Sequence, residues 1–172
     1  MASRTLALAR KSSRRTPLLM AGACVLAVGA ALVAQHGFDM RPCPWCILQR
    51  LLFLVIALLC LLTALLPWRR ARIALNATTL LVAGAGILAA VYQHEVASKM
   101  FSCNLTFADK AIGALGLETL WPAMFQVTAT CAEAAVSLFG VPFEYLSLAL
   151  FALLGLTAAG LLLRSIRVQS GH

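Results

Sequence analysis

The sequence predicts an all-α membrane protein, a four-transmembrane-helix bundle formed by one domain over residues 1–172. Its composition is the first observation: 62% of the 172 residues are hydrophobic and 12% are charged. Soluble proteins average about 45–50% apolar and about 25% charged residues. The second observation is four apolar runs, and the third is the concentration of basic residues on one side of them.

Each apolar run holds about 20 residues, the length that an α-helix needs to cross the hydrocarbon of a bilayer. Helices are expected because unpaired backbone polar groups are costly in lipid. The first run could instead be a signal peptide, but it is longer than the usual apolar region of about 7–15 residues, and no clean A-x-A site follows it. We expect an uncleaved first span. The predicted spans are about residues 17–35, 47–66, 73–93 and 143–163.

Basic residues predict the orientation. One side of the spans carries ten basic and no acidic residues: Arg4, Arg10, Lys11, Arg14, Arg15, Arg69, Arg70, Arg72, Arg164 and Arg167. Positive loops stay in the cytoplasm, so both termini and the Pro67–Arg72 loop are expected there. A short loop of about residues 36–46 and a long loop of about residues 94–142 face outward. The net charge of +8 is therefore mostly an orientation signal, and the expected partner is the lipid bilayer rather than nucleic acid.

The six cysteines divide by location. Cys24 and Cys60 lie inside spans, where cysteine usually behaves as a small apolar residue. The other four lie on the outer side, where disulfides persist. Cys43 and Cys46 are in the short loop, and Cys103 and Cys131 are in the long loop.

Cys43 and Cys46 form a C-x-x-C motif, a spacing found in redox dithiols, zinc sites and haem attachment sites. Attachment of c-type haem needs histidine where Ile47 stands. A four-sulfur zinc site is disfavoured because 27 residues separate Cys103 from Cys131, whereas zinc ligands usually pair at short spacing. Two structural disulfides are a further alternative. Redox exchange is the favoured interpretation, and no metal is expected.

Arg50 is the second unusual feature of this region. Pro44 suits the first turn of a helix, which places Cys46 near a helix N-terminus that favours a thiolate. Arg50 follows four residues later, on the same helix face. Arg50 could extend to the lipid headgroups. A cation beside a thiolate at the membrane surface instead suggests a site for an electron acceptor dissolved in lipid, with quinone as the candidate.

The sequence resembles the disulfide bond formation protein B (DsbB) family over nearly the whole chain. The matching segments are "QH" at Gln35–His36, "PCPWCILQR" at Pro42–Arg50, "YQH" at Tyr92–His94, "SCN" around Cys103, "WPAMFQVTATCAE" at Trp121–Glu133 and "FGVPFEYLSL" at Phe139–Leu148. Four cysteines in this order, with an arginine four residues after the second, make the resemblance specific.

The resemblance implies an oxidoreductase of the bacterial inner membrane, with its active loops facing the periplasm. Such a protein reoxidises a DsbA-like thiol oxidase and passes the electrons to membrane quinone, either ubiquinone or menaquinone. It implies resting disulfides Cys43–Cys46 and Cys103–Cys131. Cys103 would form the mixed disulfide with the partner, and Cys131 would then exchange with Cys43. Cys46 would face the quinone, with Arg50 and His94 as quinone-binding residues.

Some features depart from the family or leave choices open. Pro-Trp separates the first two cysteines, and Gln49 stands where some relatives have an acidic residue. The apolar stretch Ala111–Val127 is interpreted as a segment lying on the membrane surface, with core packing under the loop as the alternative. A vitamin K epoxide reductase-like enzyme is a further candidate, although its C-x-x-C is expected in a later span. The last candidate is a disulfide-stapled scaffold without enzymatic activity.

Overall fold

The structure, a computed structural model, describes residues 2–99, 106–134, 137–138 and 141–170, with side chains for residues 14–99, 106–134 and 144–167. In chain order, its elements are α1 (Ala2–Gly37), α2 (Pro44–Leu65), α3 (Arg69–Glu95), a 3₁₀ turn (Ala97–Lys99), α4 (Phe107–Ala114), α5 (Leu117–Leu120), α6 (Pro122–Phe125), β1 (Ser137–Leu138), β2 (Val141–Pro142) and α7 (Phe143–Ser170). The two short strands pair in antiparallel fashion.

Four of these helices, α1, α2, α3 and α7, contain stretches long and apolar enough to cross a membrane. The predicted all-α fold with four membrane-spanning helices is therefore confirmed, and the chain is a multi-pass membrane protein. Helix α2 begins at Pro44, three residues before the predicted span. The C-x-x-C motif thus forms the start of a membrane-spanning helix rather than part of the preceding loop.

The first turn of α2 is capped by a cysteine. Cys43 has extended backbone angles at the N-cap, and its Sγ accepts a hydrogen bond from the backbone N–H of Cys46 at 3.2 Å. Pro44 occupies the start of the helix, where its missing N–H leaves no intrahelical bond unmade. The Cys-Pro-x-Cys sequence therefore supplies its own N-cap. The cap holds the Cys43 sulfur against the backbone N–H of Cys46.

The long helices pack in a simple order, with α1 on α2, α2 on α3 and α3 on α7. Phe53 of α2 and Phe151 of α7 stack in the core with ring centroids 4.1 Å apart. Gly86 of α3 makes room for this stack, because a Cβ atom there would lie 2.4 Å from the Phe151 ring. Close helix approach through a small residue is the usual form of packing in membranes.

The bundle has two distinct ends. At one end, the Arg69 guanidinium donates a hydrogen bond to the backbone carbonyl of Ser165, so the connection between α2 and α3 lies beside the C-terminal part of α7. The opposite end holds the start of α2 and the short helices α4 to α6. The assignment of the first end to the cytoplasm stays a prediction from the basic residues.

The long loop uses its apolar residues in two ways. Ile112 and Phe125 are buried against Ile47 of α2, which matches the alternative of core packing. Leu120 and Trp121 are 80% and 58% exposed, which suits a segment resting on the membrane surface. The interfacial role stays a prediction for this outer face, while the inner face belongs to the protein core.

Changing Gly86 to alanine should destabilise the bundle, because the new methyl group overlaps the buried Phe151 ring. Overpacking of this kind costs about 1–3 kcal/mol. Gly84→Ala is the matched control, since a Cβ atom there meets nothing within 4 Å and the gain in helix propensity is the same. Unfolding in detergent micelles measures the difference. Equal stability of the two variants would contradict the packing described here.

Candidate functional site

Three cysteine sulfurs lie together at the start of α2. The Cys43 side chain is buried and forms hydrogen bonds with both Cys46 and Cys131. Cys131 comes from the long loop, 85 residues after Cys46 in sequence. The structure therefore brings together Cys43, Cys46 and Cys131, three of the four predicted redox cysteines. Cys103 lies outside the described residues.

Backbone contacts hold Cys131 in this position. The N–H groups of Thr128 and Ala129 both donate to the carbonyl of Pro42, at 3.1 Å and 3.3 Å. These bonds join the segment after α6 to the segment before α2. Cys131 is then buried with Cys43 and Trp45 in one cluster. The long loop is thus anchored at the carbonyl of the proline that precedes the C-x-x-C motif.

All five cysteines that the structure describes are unbonded thiols. The implied Cys43–Cys46 disulfide is absent from this structure, and the resting pairing stays a prediction. Cys24 and Cys60 are buried in the main apolar core of the bundle, as predicted for packing residues. The candidate site accordingly involves only the cysteines at the loop end.

Burial and mutual contact together shift the pKa values of Cys43 and Cys131. Burial raises the pKa of the Cys43 thiol well above its ordinary value, and its hydrogen bonds to Cys131 and Cys46 act in the same direction. The hydrogen bond with Cys43 lowers the pKa of Cys131, although burial opposes this effect. Cys43 is therefore the proton donor of this pair, and Cys131 is the sulfur that more readily carries negative charge.

Arg50 lies one turn below Cys46 and is 7% exposed. Its Nη1 donates to Gln35 Oε1 at 2.6 Å and to the Met124 carbonyl at 3.1 Å. Its Nη2 donates to the Ala31 carbonyl at 3.4 Å. The alternative in which this arginine extends to the headgroups is wrong, because the side chain is buried and three of its N–H donors are paired inside the protein. All three acceptors are neutral, so none of them offsets the positive charge of the guanidinium group.

Two glutamines form a hydrogen-bonded chain that ends at Cys46. Gln49 Nε2 donates to Gln93 Oε1 at 2.7 Å, and Gln93 Nε2 donates to Cys46 Sγ at 3.4 Å. Both glutamines are 4% exposed. Because Gln49 supplies a donor to the Gln93 oxygen, the Gln93 amide nitrogen faces the sulfur. Sequence analysis did not assign Gln93 a role, although a buried amide at the end of an apolar run was a usable signal.

A cavity of about 280 Å³ opens beside Cys46 and Arg50, between the four long helices. The volume is near the lower end of ligand pockets. Most of its wall is apolar, and α1 contributes only small side chains. The apolar wall includes Ala27, Ala30, Ala31, Ala34, Phe53 and Leu150. The polar wall includes Arg41, Cys46, Gln49, Arg50, Gln93, Glu144 and Ser147. The combination can hold a flat apolar molecule with a few polar atoms.

His94 lies against Tyr145, at the start of α7. Its Nε2 lies 3.2 Å from the Tyr145 hydroxyl, and the two rings are 4.8 Å apart. It is not among the described residues that line the cavity. A role for His94 in acceptor binding stays a prediction without support from the cavity. Glu144, beside Tyr145, does line the cavity and was not singled out from the sequence.

Replacing Gln93 by methionine should make Cys46 less reactive, because a thiolate loses a buried hydrogen-bond donor. Hydrogen bonds to charged groups contribute about 1.5–3 kcal/mol, so alkylation of Cys46 should slow by about tenfold or more. Mass spectrometry after timed iodoacetamide treatment measures this rate at each cysteine. Alkylation of Cys131 is the internal control and should be unchanged. Equal labelling of Cys46 in both proteins would rule out the amide as a functional donor.

Comparison with known proteins identifies the family of this chain. The family model of disulfide bond formation protein DsbB matches residues 13–161. Disulfide bond formation protein B 1 of Pseudomonas putida is 34% identical over 141 residues, covering 81% of this chain and 84% of the relative. The protein of the same name from Pseudomonas syringae pv. syringae is 32% identical over 169 residues, covering 97% and 98%. Disulfide bond formation protein B of Herminiimonas arsenicoxydans is 31% identical over 147 residues, covering 85% and 92%. The matched region contains every predicted redox cysteine and Arg50, and the chain belongs to the DsbB family of disulfide bond formation proteins.

Proposed function

We propose that this protein reoxidises a periplasmic DsbA-type thiol oxidase and passes the two electrons to a quinone in the bacterial inner membrane. Membership of the DsbB family supports an oxidoreductase that acts in disulfide bond formation, and it decides against the scaffold and the vitamin K epoxide reductase-like alternatives. The observation that carries the finer proposal is the contact of Cys43 with both Cys46 and Cys131, beside a cavity lined by Arg50.

The first half of the proposed reaction takes place on the long loop. A thiolate of the reduced partner attacks Cys103 of a Cys103–Cys131 disulfide, forming a mixed disulfide and releasing Cys131 as a thiolate. The second cysteine of the partner then displaces Cys103, which completes the oxidation of the partner.

The second half transfers the electrons between the two loops. The Cys131 thiolate attacks Cys43 of a Cys43–Cys46 disulfide and releases Cys46 as a thiolate. Cys103 then attacks Cys131, restoring the Cys103–Cys131 disulfide and leaving Cys43 and Cys46 reduced. The described contact between Cys43 and Cys131 is the geometry that this exchange requires, because a thiolate must reach the sulfur that it attacks.

The final acceptor would bind in the cavity beside Cys46. A bound quinone takes up two electrons and two protons when the dithiol is oxidised. The small side chains of α1 leave room for a flat ring, and Arg50 has five N–H donors in a planar fork. Three bonds from Arg50 reach described residues. The other two donors have no partner in the described part of the chain and suit a ring carbonyl.

The orientation of the protein belongs to the same proposal. The ten basic residues on one side favour a cytoplasmic position for that side. The cluster of Cys43, Cys46 and Cys131 then faces the periplasm, where disulfides form and persist. A dithiol at this rim can exchange with a soluble partner on one side and with a lipid-soluble acceptor on the other.

Arg50→Met should raise the KM for quinone by tenfold or more, since a lost interaction of about 1.4 kcal/mol changes an equilibrium tenfold. Arg50→Lys should be affected less, because the charge remains while the donor fork is lost. Steady-state kinetics with varied ubiquinone at fixed reduced partner measure this. Arg69→Met, at the other end of the bundle, removes the same charge and should leave KM unchanged.

Thiol–disulfide exchange with the partner should continue in the Arg50 variants, and its rate can be followed separately in a single turnover without added quinone. An Arg50→Met protein with the KM and kcat of the parent would place the acceptor elsewhere.

Cys131→Ser mixed with oxidised partner should accumulate a mixed disulfide on Cys103, because the Cys103 thiolate can attack the disulfide of the partner but no longer has Cys131 with which to close its own disulfide. Non-reducing gels after acid quench, followed by peptide mapping, identify the bonded cysteine. Cys24→Ser, at a buried position in the core, should behave as the parent protein. A trapped complex that maps to Cys43 would reverse the proposed order of the two cysteine pairs.

A further inference from the structure

Glu144, in the first turn of α7, is the one acidic residue whose side chain is buried. The structure describes all six acidic residues, and the others are exposed or half-buried: Asp39, Glu95, Asp109, Glu118 and Glu133. Glu144 is 5% exposed and lines the same cavity as Cys46 and Arg50. A carboxyl group in the interior of a membrane bundle is costly and is a functional hypothesis by default.

The contacts of Glu144 do not explain its burial. Its Oε2 is buried and has no hydrogen-bond partner among the described residues. Arg50 lines the same cavity, but its hydrogen bonds go to Gln35, Met124 and Ala31, and the described residues contain no ion pair between Glu144 and Arg50. An acidic residue near a helix N-terminus is favourable, but a solvated position would provide this benefit without leaving a buried oxygen unpaired. The missing partner is expected to be a molecule in the cavity.

We infer that Glu144 is a catalytic proton donor to the acceptor that is reduced in this cavity. The inference rests on the proposed reduction of quinone by the Cys43–Cys46 dithiol. It adds a role that neither the cysteine relay nor Arg50 fills, because the Cys43 thiol supplies only one of the two protons that the acceptor must gain.

A dithiol with Cys46 ionised and Cys43 protonated gives up two electrons and one proton when its disulfide bond forms. The quinone takes up the two electrons and needs two protons. One comes from the Cys43 thiol, and the other comes from the Glu144 carboxylic acid, which is left as a carboxylate. Glu144 then regains from solvent the proton that Cys46 released when it ionised.

The other groups on the cavity wall cannot take this role. Arg41 and Arg50 keep their protons at any physiological pH. The side-chain amides of Gln49 and Gln93 and the hydroxyl of Ser147 are not acids in this range. Cys46 supplies electrons. Among the described side chains that line the cavity, Glu144 is the group that can give a proton to a reduced ring oxygen and take one back.

Glu144→Gln tests the inference, because the amide keeps the size and a hydrogen-bond donor but has no acidic proton. The dissociation constant for ubiquinone should change by less than about twofold, whereas kcat for quinone reduction should fall about 10²–10⁴-fold, the usual contribution of a general acid. Glu144→Asp should restore part of kcat. Glu95→Gln is the matched control and should leave both constants unchanged, since Glu95 forms an exposed pair with Lys99.

Two measurements detect the carboxylic acid of Glu144 without depending on a turnover rate. The infrared difference spectrum between the dithiol form of the protein and the form oxidised by ubiquinone should contain a carboxyl C=O band that is absent in Glu144→Gln. In the parent protein, dicyclohexylcarbodiimide, which reacts with carboxylic acids in apolar surroundings, should label Glu144, and saturating ubiquinone should slow the labelling. The labelling assay needs no variant and therefore applies even if Glu144→Gln fails to fold.

The outcomes separate this inference from the function on which it rests. A parent protein that does not reduce quinone with its dithiol would overturn the proposed function and this inference together. A parent protein that reduces quinone, with Glu144→Gln equally fast, would overturn the inference alone. A weaker ubiquinone affinity with unchanged kcat would also overturn it, because Glu144 would then only bind the acceptor.

Discussion

The burial of one guanidinium group organises the redox end of this bundle. A charged side chain inside a membrane protein is tolerated when its hydrogen-bonding groups are paired and its surroundings are polar. Arg50 meets this condition through acceptors on two other segments: Gln35 and Ala31 on α1, and Met124 on α6. The same bonds therefore hold α1 and the long loop against α2. Arg50 thus contacts both the cavity and the loop that carries Cys131.

The position of the loop in turn determines where Cys131 lies. Met124 belongs to α6, and the segment that follows α6 is bonded to the Pro42 carbonyl through Thr128 and Ala129. Cys131 comes next and is buried beside Cys43. Two anchors, one on the guanidinium and one on the proline before the C-x-x-C motif, thus bring a cysteine from a distant part of the sequence into contact with the first turn of α2. These two anchors can maintain the contact between Cys131 and Cys43 without a fixed conformation along the whole long loop.

The sequence alone predicted the features that depend on local patterns. Four apolar runs gave the four long helices, and Pro44 marked the start of α2. Long-range contacts could not be predicted in this way. No periodicity indicates that the Met124 carbonyl accepts a bond from Arg50 or that Gln49 orients Gln93. The position of His94 beside Tyr145, away from the cavity wall, likewise depends on how α3 and α7 pack. Glu144 was visible as a charge at the start of a span, but only packing shows that it faces the cavity.

The alanines of α1 have a consequence for how this protein can change over evolutionary time. The cavity is bordered on one side by Ala27, Ala30, Ala31 and Ala34, while its sulfur, amide, guanidinium and carboxyl groups belong to side chains outside α1. The dimensions of the recess are therefore encoded separately from the reactive side chains. A lineage can enlarge or narrow the recess by single substitutions on α1 without disturbing a sulfur, an amide or the guanidinium. Selectivity for the bound molecule and competence for electron transfer are thereby free to diverge independently.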